Sequence, residues 1–357
     1  MRILGIETSC DETAAAVVEI DNQQELTLVS NVVASSMDLH KKYGGVVPEI
    51  AARSHIEAIN PVVEQALAEA KCTWDAIDAI AVTYGAGLGG SLLVGVLAAR
   101  TAAIIHNKPL YACNHVEGHI YANFLTKTPL KGYTLPHAQP QFPMLGLIVS
   151  GGHSQLVLWH NHFDYRVLGR TNDDAIGEAF DKVAKILGLP YPGGPSISKI
   201  AARGNPSKYS LPRAKMSNKY DFSFSGLKTA VLRATQQECG VGYDFPSHKL
   251  SERLSEAQKA NLAASFQHVA IETVVEKTVM AYQEFTPKSV VIGGGVAANL
   301  ELRRQLAAQL PLPIAYTDIK LCTDNGAMIA ALGCYKARLN QPQADPYSLE
   351  IQPNLSM

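Results

Sequence analysis

The sequence predicts an α/β protein built of two halves, each of which begins with a β-hairpin. Strand and helix patterns alternate along the chain, and two hairpins of similar design lie about one domain apart. The length of 357 residues also exceeds what a single hydrophobic core usually serves. Hydrophobic residues make up 47% of the chain and charged residues 18%, below the roughly 25% usual for soluble domains. Much surface is therefore expected to be buried in sheets or against a partner.

Each predicted hairpin encloses a turn of unusual composition. Residues 3–6 and 14–20 read as strands around a turn rich in hydroxyls and acids, residues 7–12. Residues 145–149 and 155–159 repeat the design around the turn 150–154, which reads Ser-Gly-Gly-His-Ser. Two such hairpins suggest an internal duplication.

The remaining elements follow the same alternation. In the first half we predict a helix at 49–71, a strand at 77–83, a Gly-rich turn at 85–90, a helix at 91–106 and a strand at 110–112. In the second half we predict a helix at 174–187, a turn at 192–195, an irregular basic stretch at 199–233, a helix at 256–284, a strand at 289–292, a Gly-rich turn at 293–295 with a helix after it, and a last helix at 325–339.

Charge and cysteine usage favour a cytoplasmic protein that does not enter a membrane. The net charge of −1 predicts no overall steering toward nucleic acid or membrane, and the basic stretch 199–233 alone is most simply a solvated face. The six cysteines are scattered without a C-x-x-C pair, as expected of free thiols in a reducing compartment. The longest apolar stretch, residues 92–105, contains Arg100 and is too short to span a bilayer.

The strongest local motif is the run 114–119, which reads Asn-His-Val-Glu-Gly-His. Residues four apart on a helix share a face, so His115 and His119 could bind one metal ion. A zincin peptidase would place its glutamate directly after the first histidine, whereas Glu117 lies two positions on, about 200° around the helix. Proteolysis is therefore disfavoured. The alternative is that these histidines are ordinary buried or surface groups.

A third metal ligand would favour the metal site over ordinary histidines, and Asp324 is the candidate. It precedes the last predicted helix, where a helix N-cap is a sufficient reason for an aspartate. Two histidines and one carboxylate would suit iron or zinc better than magnesium.

Three Gly-rich turns could bind a nucleotide. The turn at 85–90 formally fits G-x-G-x-x-G but lacks the acid expected about twenty residues on, so an NAD site is disfavoured. The turns at 150–152 and 293–295, together with Thr8 and Ser9, fit the way in which the actin, Hsp70 and sugar-kinase superfamily wraps phosphates with backbone N–H groups. Asp181, on the polar side of its helix, is either solvated or a ligand of ribose hydroxyls.

In this order, the motifs closely resemble the tRNA N6-adenosine threonylcarbamoyltransferase family, known in bacteria as TsaD. The match covers almost the whole chain, apart from a longer segment around 126–141. The motifs are GIETSCDET (5–13), NHVEGH (114–119), VSGGH (149–153), GEAFDK (177–182), YPGGP (191–195), DFSFSGLK (221–228), GGGVAAN (293–299) and TDNG (323–326).

The resemblance implies an actin-like fold of two duplicated lobes around a nucleotide cleft. It places lobe I at residues 1–112, joined by the C-terminal helix at about 325–357, and lobe II at residues 113–324 with the metal and nucleotide sites. It also implies transfer of a threonylcarbamoyl group from threonylcarbamoyl-AMP to the adenosine beside the tRNA anticodon. The implied metal ligands for one divalent ion, iron or zinc, are His115, His119 and Asp324. The implied adenylate-binding residues are Ile148, Val149, Ser150, Gly151, Gly152, Asp181, Gly194 and Asn299.

Several expectations remain open at this point. Glu12 with Asp11 could steer or deprotonate the attacking amine, or could simply close a polar turn. The basic stretch gains a role as a tRNA surface, and the resemblance implies TsaB-like and TsaE-like partner proteins, with a homodimer also possible. The rivals are a metallopeptidase, an actin-like ATPase or sugar kinase, and a non-catalytic member of the family; the histidine pair speaks against the last.

Overall fold

The structure is a computed structural model that describes all 357 residues. The chain forms two compact units: the first comprises Met1–Pro140 and Ala315–Met357, and the second comprises Gln141–Ile314. The lobe boundaries expected from sequence lay at 112 and 324 instead. Residues 113–140 belong to the first unit because a short strand there pairs with its sheet, and because the helix that follows residue 114 packs against the last helix of the chain.

Ten strands and ten α-helices make up these units. The strands are β1 (Arg2–Glu7), β2 (Glu12–Ile20), β3 (Leu26–Ser35), β4 (Ala79–Gly85), β5 (Leu110–Asn114), β6 (Leu125–Lys127), β7 (Met144–Val149), β8 (Ser154–Asn161), β9 (Asp164–Arg170) and β10 (Ser289–Gly293). The helices are α1 (Met37–Lys41), α2 (Pro48–Glu69), α3 (Gly89–Ile105), α4 (His115–Tyr121), α5 (Ile176–Ile186), α6 (Gly193–Ala201), α7 (Ser225–Glu238), α8 (Glu256–Phe285), α9 (Leu300–Gln309) and α10 (Gly326–Arg338).

The two sheets repeat one arrangement of strands. The first has the order β5-β4-β1-β2-β3-β6, in which β1, β2 and β3 are antiparallel and β4 runs parallel to β1. The second has the order β10-β7-β8-β9, in which β7, β8 and β9 are antiparallel and β10 runs parallel to β7. The four strands β4-β1-β2-β3 therefore correspond to β10-β7-β8-β9. This repetition confirms the predicted duplication and the actin-like α/β fold.

In the first unit, helices cover both faces of the sheet. One face of β1 and β2 packs with α2 and α3 around an apolar cluster that includes Leu4, Ile6 and Val17. On the other face α10 crosses β1 so closely that a Cβ on Gly5 would lie 2.3 Å from the backbone nitrogen of Ala330. Glycine at position 5 is thus what lets α10 reach the sheet.

Six elements were not foreseen, among them the short helix α1 and the short strand β6, which had no assignment. The strands β3 and β9 had no assignment, and α6 begins inside the segment predicted as a turn at 192–195. Glycine and proline are tolerated in the first turn of a helix, where the N–H groups have no intrahelical acceptor, so this run does not prevent helix formation. Helix α7 begins at Ser225, so the basic stretch 199–233 is not irregular throughout. None of the helices is long and apolar enough to cross a membrane.

Candidate functional site

Helix α4 holds the two histidines of the predicted metal site on one face. Its cap is Asn114, whose side chain accepts hydrogen bonds from the backbone N–H groups of Val116 (2.8 Å) and Glu117 (3.4 Å). The rings of His115 and His119 lie edge to face, with centroids 4.7 Å apart. Both side chains are buried, His119 with 1% of its surface exposed. The helix predicted from the i, i+4 spacing is therefore confirmed.

Helix α10 brings the third candidate ligand to these histidines. This helix packs closely against α4, and a Cβ on Gly118 would lie 2.9 Å from the side-chain atom Ile329 Cδ1. The oxygen Oδ1 of Asp324 lies 3.6 Å from His115 Nε2 and 3.4 Å from His119 Nε2. The helix cap is the next residue, Asn325, whose side chain accepts from the Met328 N–H at 3.0 Å. Asp324 is thus not required as the cap.

The three side chains fit a shared metal ion. Their ligand atoms all lie within 4.8 Å of one another. Two ligands each about 2.1 Å from a tetrahedral ion are about 3.4 Å apart, which matches the separations between Asp324 and the histidines. Neither ring nitrogen of His119 has a hydrogen-bond partner, although the ring is buried. A buried imidazole in this state is what a metal ligand looks like without its ion. Glu117 does not belong to this group.

Glu7, which had no assignment from sequence, and Ser9, which was predicted to belong to a phosphate-binding turn, hold His115 from the other side of its ring. His115 Nδ1 lies 3.2 Å from Glu7 Oε2 and 3.0 Å from Ser9 Oγ. Glu7 is fully buried at the end of β1. A carboxylate directly after an apolar strand is the signal that could have identified it, because a buried acid needs a specific partner.

The electrostatics of this cluster call for a cation. Burial opposes protonation of His115, but the carboxylates of Asp324 and Glu7 outweigh it and raise the pKa of His115 to about 9. Burial likewise acts to raise the pKa of Glu7, and the charge and hydrogen bond of His115 reverse this and lower it. The carboxylates that stabilise the positive charge of a proton on His115 would also stabilise that of a metal ion.

Glu12 is the first residue of β2, Asp11 precedes it, and the charge of Asp324 acts on Glu12. Glu12 Oε1 accepts a hydrogen bond from Ser35 Oγ at 3.1 Å, and the Asp11 carbonyl accepts from the Ser36 N–H at 2.9 Å. Burial first, and then the negative charges of Asp324 and Asp11, raise the pKa of Glu12 to about 9. Glu12 therefore keeps its proton at neutral pH unless a cation offsets those charges.

The second unit places two Gly-rich turns side by side. Strands β7 and β10 are parallel neighbours, with Ile148 opposite Gly293, so the turns that follow them leave the same edge of the sheet. A Cβ on Gly294 would lie 2.4 Å from the Val149 carbonyl oxygen. In the first turn the Ser150 N–H is already bonded to the His153 carbonyl at 2.8 Å. A Cβ on Gly151 or Gly152 would meet nothing within 4 Å, so both face open space.

The other predicted adenylate residues belong to the helices of this unit. The Asp181 carboxylate on α5 accepts from the Gly193 N–H at 2.6 Å, and Gly194 is in the first turn of α6. Asn299 caps α9, and its Nδ2 donates to Ser198 and Gln267, both at 3.1 Å. Both the amide nitrogen and the amide oxygen of Asn299 are therefore hydrogen-bonded within the protein.

Residues 27–331 match the family described as TsaD, tRNA N6-adenosine threonylcarbamoyltransferase. The chain belongs to this family.

Curated TsaD relatives align over nearly the full length. A protein of Thermomicrobium roseum named tRNA N6-adenosine threonylcarbamoyltransferase is 51% identical over 95% of this chain and 92% of its own length. Proteins of the same name from Symbiobacterium thermophilum (49% identical, 93% of this chain, 91% of that protein) and Dehalococcoides mccartyi (45%, 100% and 99%) also align. As a TsaD-family member, this chain is a transferase of the acyltransferase class.

Solved structures of distant proteins are also similar. The (R)-2-hydroxyglutaryl-CoA dehydratase component A of Acidaminococcus fermentans is 15% identical, with a TM-score of 0.47 over 95% of this chain and 99% of that chain. A ROK hexokinase of Thermus thermophilus is 18% identical, with a TM-score of 0.44 over 95% and 100%. The fold assignment rests on the repeated strand order.

The basic stretch 199–233 divides into paired and unpaired cations. Arg213 pairs with Glu276 at 2.9 Å, Lys219 with Glu284, and Lys228 with Asp174 at 3.1 Å, while Arg233 lies over the ring of Tyr243. No acidic partner is present at four exposed positions: Lys199, Arg203, Lys208 and Lys215.

Proposed function

We propose that this protein transfers the threonylcarbamoyl group from threonylcarbamoyl-AMP to the N6 amine of the adenosine beside the tRNA anticodon, releasing AMP. The observation that carries the proposal is the His115–His119–Asp324 cluster, with both histidines buried, in a chain that is 51% identical to a protein named for this activity. The donor is an activated mixed anhydride, so the protein mainly has to position the two substrates and stabilise the leaving phosphate.

In this proposal His115, His119 and Asp324 hold one divalent ion. Two imidazole nitrogens and one carboxylate oxygen suit iron(II) or zinc, and three protein ligands leave a coordination position open. When bound, such an ion supplies Lewis-acid stabilisation of negative charge on a phosphate oxygen. Metal content of the purified protein, measured by mass spectrometry, distinguishes iron from zinc.

The adenylate is assigned to the second unit. The N–H groups of Gly151 and Gly152 make none of the hydrogen bonds that close their turn, and both residues are exposed, so we assign them as the phosphate donors among residues 148–152. Ile148 and Val149 are buried strand residues that fix this turn. Gly194 in the first turn of α6, Asp181 and Asn299 complete the assignment. Because Asp181 and Asn299 already bond within the protein, they would contact the ligand while retaining or exchanging these bonds.

Asp11 and Glu12 are assigned to steering the attacking amine. Glu12 would either hydrogen-bond or deprotonate this amine, and the charge of a bound ion would oppose the effect of Asp324 and Asp11, which with burial raise the pKa of Glu12 to about 9. An activity profile against pH in Glu12→Gln tests this: a deprotonating Glu12 predicts loss of activity at every pH, whereas a hydrogen-bonding one predicts partial retention.

We further propose that the protein acts with TsaB-like and TsaE-like proteins in the cytoplasm, in keeping with its family. A homodimer is the alternative assembly. Sedimentation of the protein alone and with each partner distinguishes the two.

The central experiment supplies threonine, bicarbonate, ATP, an adenylate-forming enzyme, the partner proteins and unmodified tRNA. Mass spectrometry of the digested tRNA should detect threonylcarbamoyladenosine, and His115→Ala should abolish it. If no modified nucleoside forms with every component present, the proposal is wrong. Metal-dependent casein cleavage lost in His115→Ala would favour the peptidase, and steady magnesium-dependent ATP turnover would favour the kinase or ATPase.

A further inference from the structure

The carboxylate of Glu7 is the most deeply buried charge near the histidines, and none of its surface is exposed. Its Oε2 accepts a hydrogen bond from Thr83 Oγ1 at 2.6 Å and lies 3.2 Å from His115 Nδ1. Its Oε1 accepts from the backbone N–H of Ser9. An isolated carboxylate would not be retained in such a place, so each of these contacts supports the ionised form.

Of the three contacts, the one to His115 bears on chemistry. An ionised carboxylate can only accept hydrogen bonds, so His115 Nδ1 must carry the hydrogen that faces Glu7. In neutral imidazole the other nitrogen, Nε2, then has a free lone pair. That nitrogen is the one that faces Asp324 Oδ1 at 3.6 Å.

We propose that Glu7 is a positioning residue that fixes His115 in the tautomer and ring orientation needed to bind the metal ion through Nε2. The inference rests on the metal centre of the proposed function. Ser9 Oγ, 3.0 Å from His115 Nδ1, holds the same ring and does not compete for Nε2. Removing the hydrogen-bonding partner of a metal-ligating histidine typically weakens metal binding about 10- to 100-fold.

The neighbouring histidine gives an internal contrast. His119 Nδ1 has no hydrogen-bond partner, so nothing comparable fixes its tautomer. A carboxylate therefore faces Nδ1 of His115, whereas Nδ1 of His119 has no such partner. We expect His115 to provide the better-oriented nitrogen of the pair.

A purely structural role for Glu7 is the competing explanation, because its bonds to Ser9 and Thr83 also join β1 to its following turn and to β4. Two substitutions separate these roles. Glu7→Gln keeps the size and one accepting oxygen, but its amide nitrogen can only donate, which favours the wrong His115 tautomer. Thr83→Val removes a hydrogen bond from the same carboxylate and leaves the Glu7–His115 contact in place.

The measurement is zinc affinity of the full-length protein, obtained by competition with a chromogenic chelator, with the thermal midpoint recorded for each variant. Glu7→Gln should weaken zinc binding about 10- to 100-fold. Thr83→Val should weaken it by less than about threefold, whatever either change does to the thermal midpoint. If Glu7→Gln binds zinc within about twofold of the wild type, or if Thr83→Val loses as much affinity, the inference is wrong.

Should Glu7→Gln fail to fold, the wild-type protein still gives an answer. In the zinc-loaded protein labelled with ¹⁵N-histidine, the inference predicts a hydrogen on Nδ1 of His115 and zinc on Nε2. Zinc on Nδ1 would contradict it. Wild-type protein that binds zinc through His115 but forms no modified nucleoside would defeat the proposed function alone, whereas equal zinc binding by Glu7→Gln in an active enzyme would defeat this inference alone.

Discussion

The hairpin turns of the two units occupy equivalent places in their sheets and carry opposite chemistry. The turn between β1 and β2 presents Glu7, Asp11 and Glu12 beside the histidines of α4. The turn between β7 and β8 has no acid and presents Gly151 and Gly152 with open space around them. One turn concentrates negative charge, and the other carries no acid and exposes two glycines.

This difference teaches how a duplicated fold can acquire two functions. The strand order fixes where each turn emerges, and the turn residues decide which ion the place favours. The first turn favours a cation, since Glu7 and Asp324 raise the pKa of His115. For the second we propose an anion such as a phosphate.

The largest expected effect comes from removing a ligand of the cation site. His115→Ala and Asp324→Ala should each lower metal content to background and transfer activity by at least about 100-fold, more than loss of an orienting partner costs. Metal analysis and nucleoside mass spectrometry report the two effects. His137→Ala, at an exposed histidine of the same unit, is the control and should retain both. Full metal content in either ligand variant would remove the basis for calling this turn a cation site.

In the second unit, two glycines of the adjoining turns should respond differently to alanine. Gly294 has φ +92°, and its Cβ would lie 2.4 Å from a carbonyl oxygen, so Gly294→Ala should lower the free energy of unfolding by about 1–3 kcal/mol. Gly152→Ala should change it by less than about 0.5 kcal/mol, because its Cβ meets nothing, while weakening binding of an adenylate analogue. Urea unfolding and calorimetry measure the two quantities. Equal stability loss in both would mean that the turns do not differ as described.

The proposed metal ligand Asp324 and the helix cap Asn325 are adjacent in the first unit. Substituting each residue in turn should show that metal binding and helix stability depend on different side chains. Asn325→Ala removes the cap of α10 and should cost about 1–2 kcal/mol of stability. Asp324→Ala should lose the metal with a smaller change in stability. Urea unfolding of the metal-free proteins tests this. If Asp324→Ala destabilises as strongly as Asn325→Ala, Asp324 supports the helix after all.

Paired and unpaired lysines of the basic stretch should contribute unequally to tRNA binding. Lys208→Ala removes an unpaired cation and should reduce the slope of log affinity against log salt by about 1 if Lys208 contacts a phosphate. Lys219→Ala removes a cation held by Glu284 and should change the slope less. Filter binding at several salt concentrations makes the comparison. Equal slopes for both variants and the wild type would place the tRNA elsewhere.

The smallest expected effect is a pH dependence in the second unit, away from both turns. Burial lowers the pKa of His162 from 6.5 to about 4 in the folded protein. Between these values the unfolded chain binds more protons, so His162 makes stability fall as pH drops from about 6.5 toward about 4. Urea midpoints at pH 7 and pH 5 should differ less in His162→Gln than in the wild type. An unchanged difference would show that His162 does not titrate in this range.

Local patterns in the sequence predicted most of the framework. The two hairpins, the long helix near 256–284 and the last helix follow from hydrophobic periodicity, which depends only on neighbours along the chain. The i, i+4 spacing of His115 and His119 placed both on one helical face for the same reason. Strand β9 and helix α6 were not predicted because their local sequence patterns are weak and tertiary packing stabilises them.

What the sequence alone determined is thus the α/β class, the duplication and the family, together with the side chains available for chemistry. The tertiary structure decided which of them meet. It separated the roles of Asp324 and Asn325, brought Glu7 to His115, and paired Lys219 with Glu284. These facts depend on contacts between residues far apart in the chain, which sheet order and helix packing create and which no local pattern encodes.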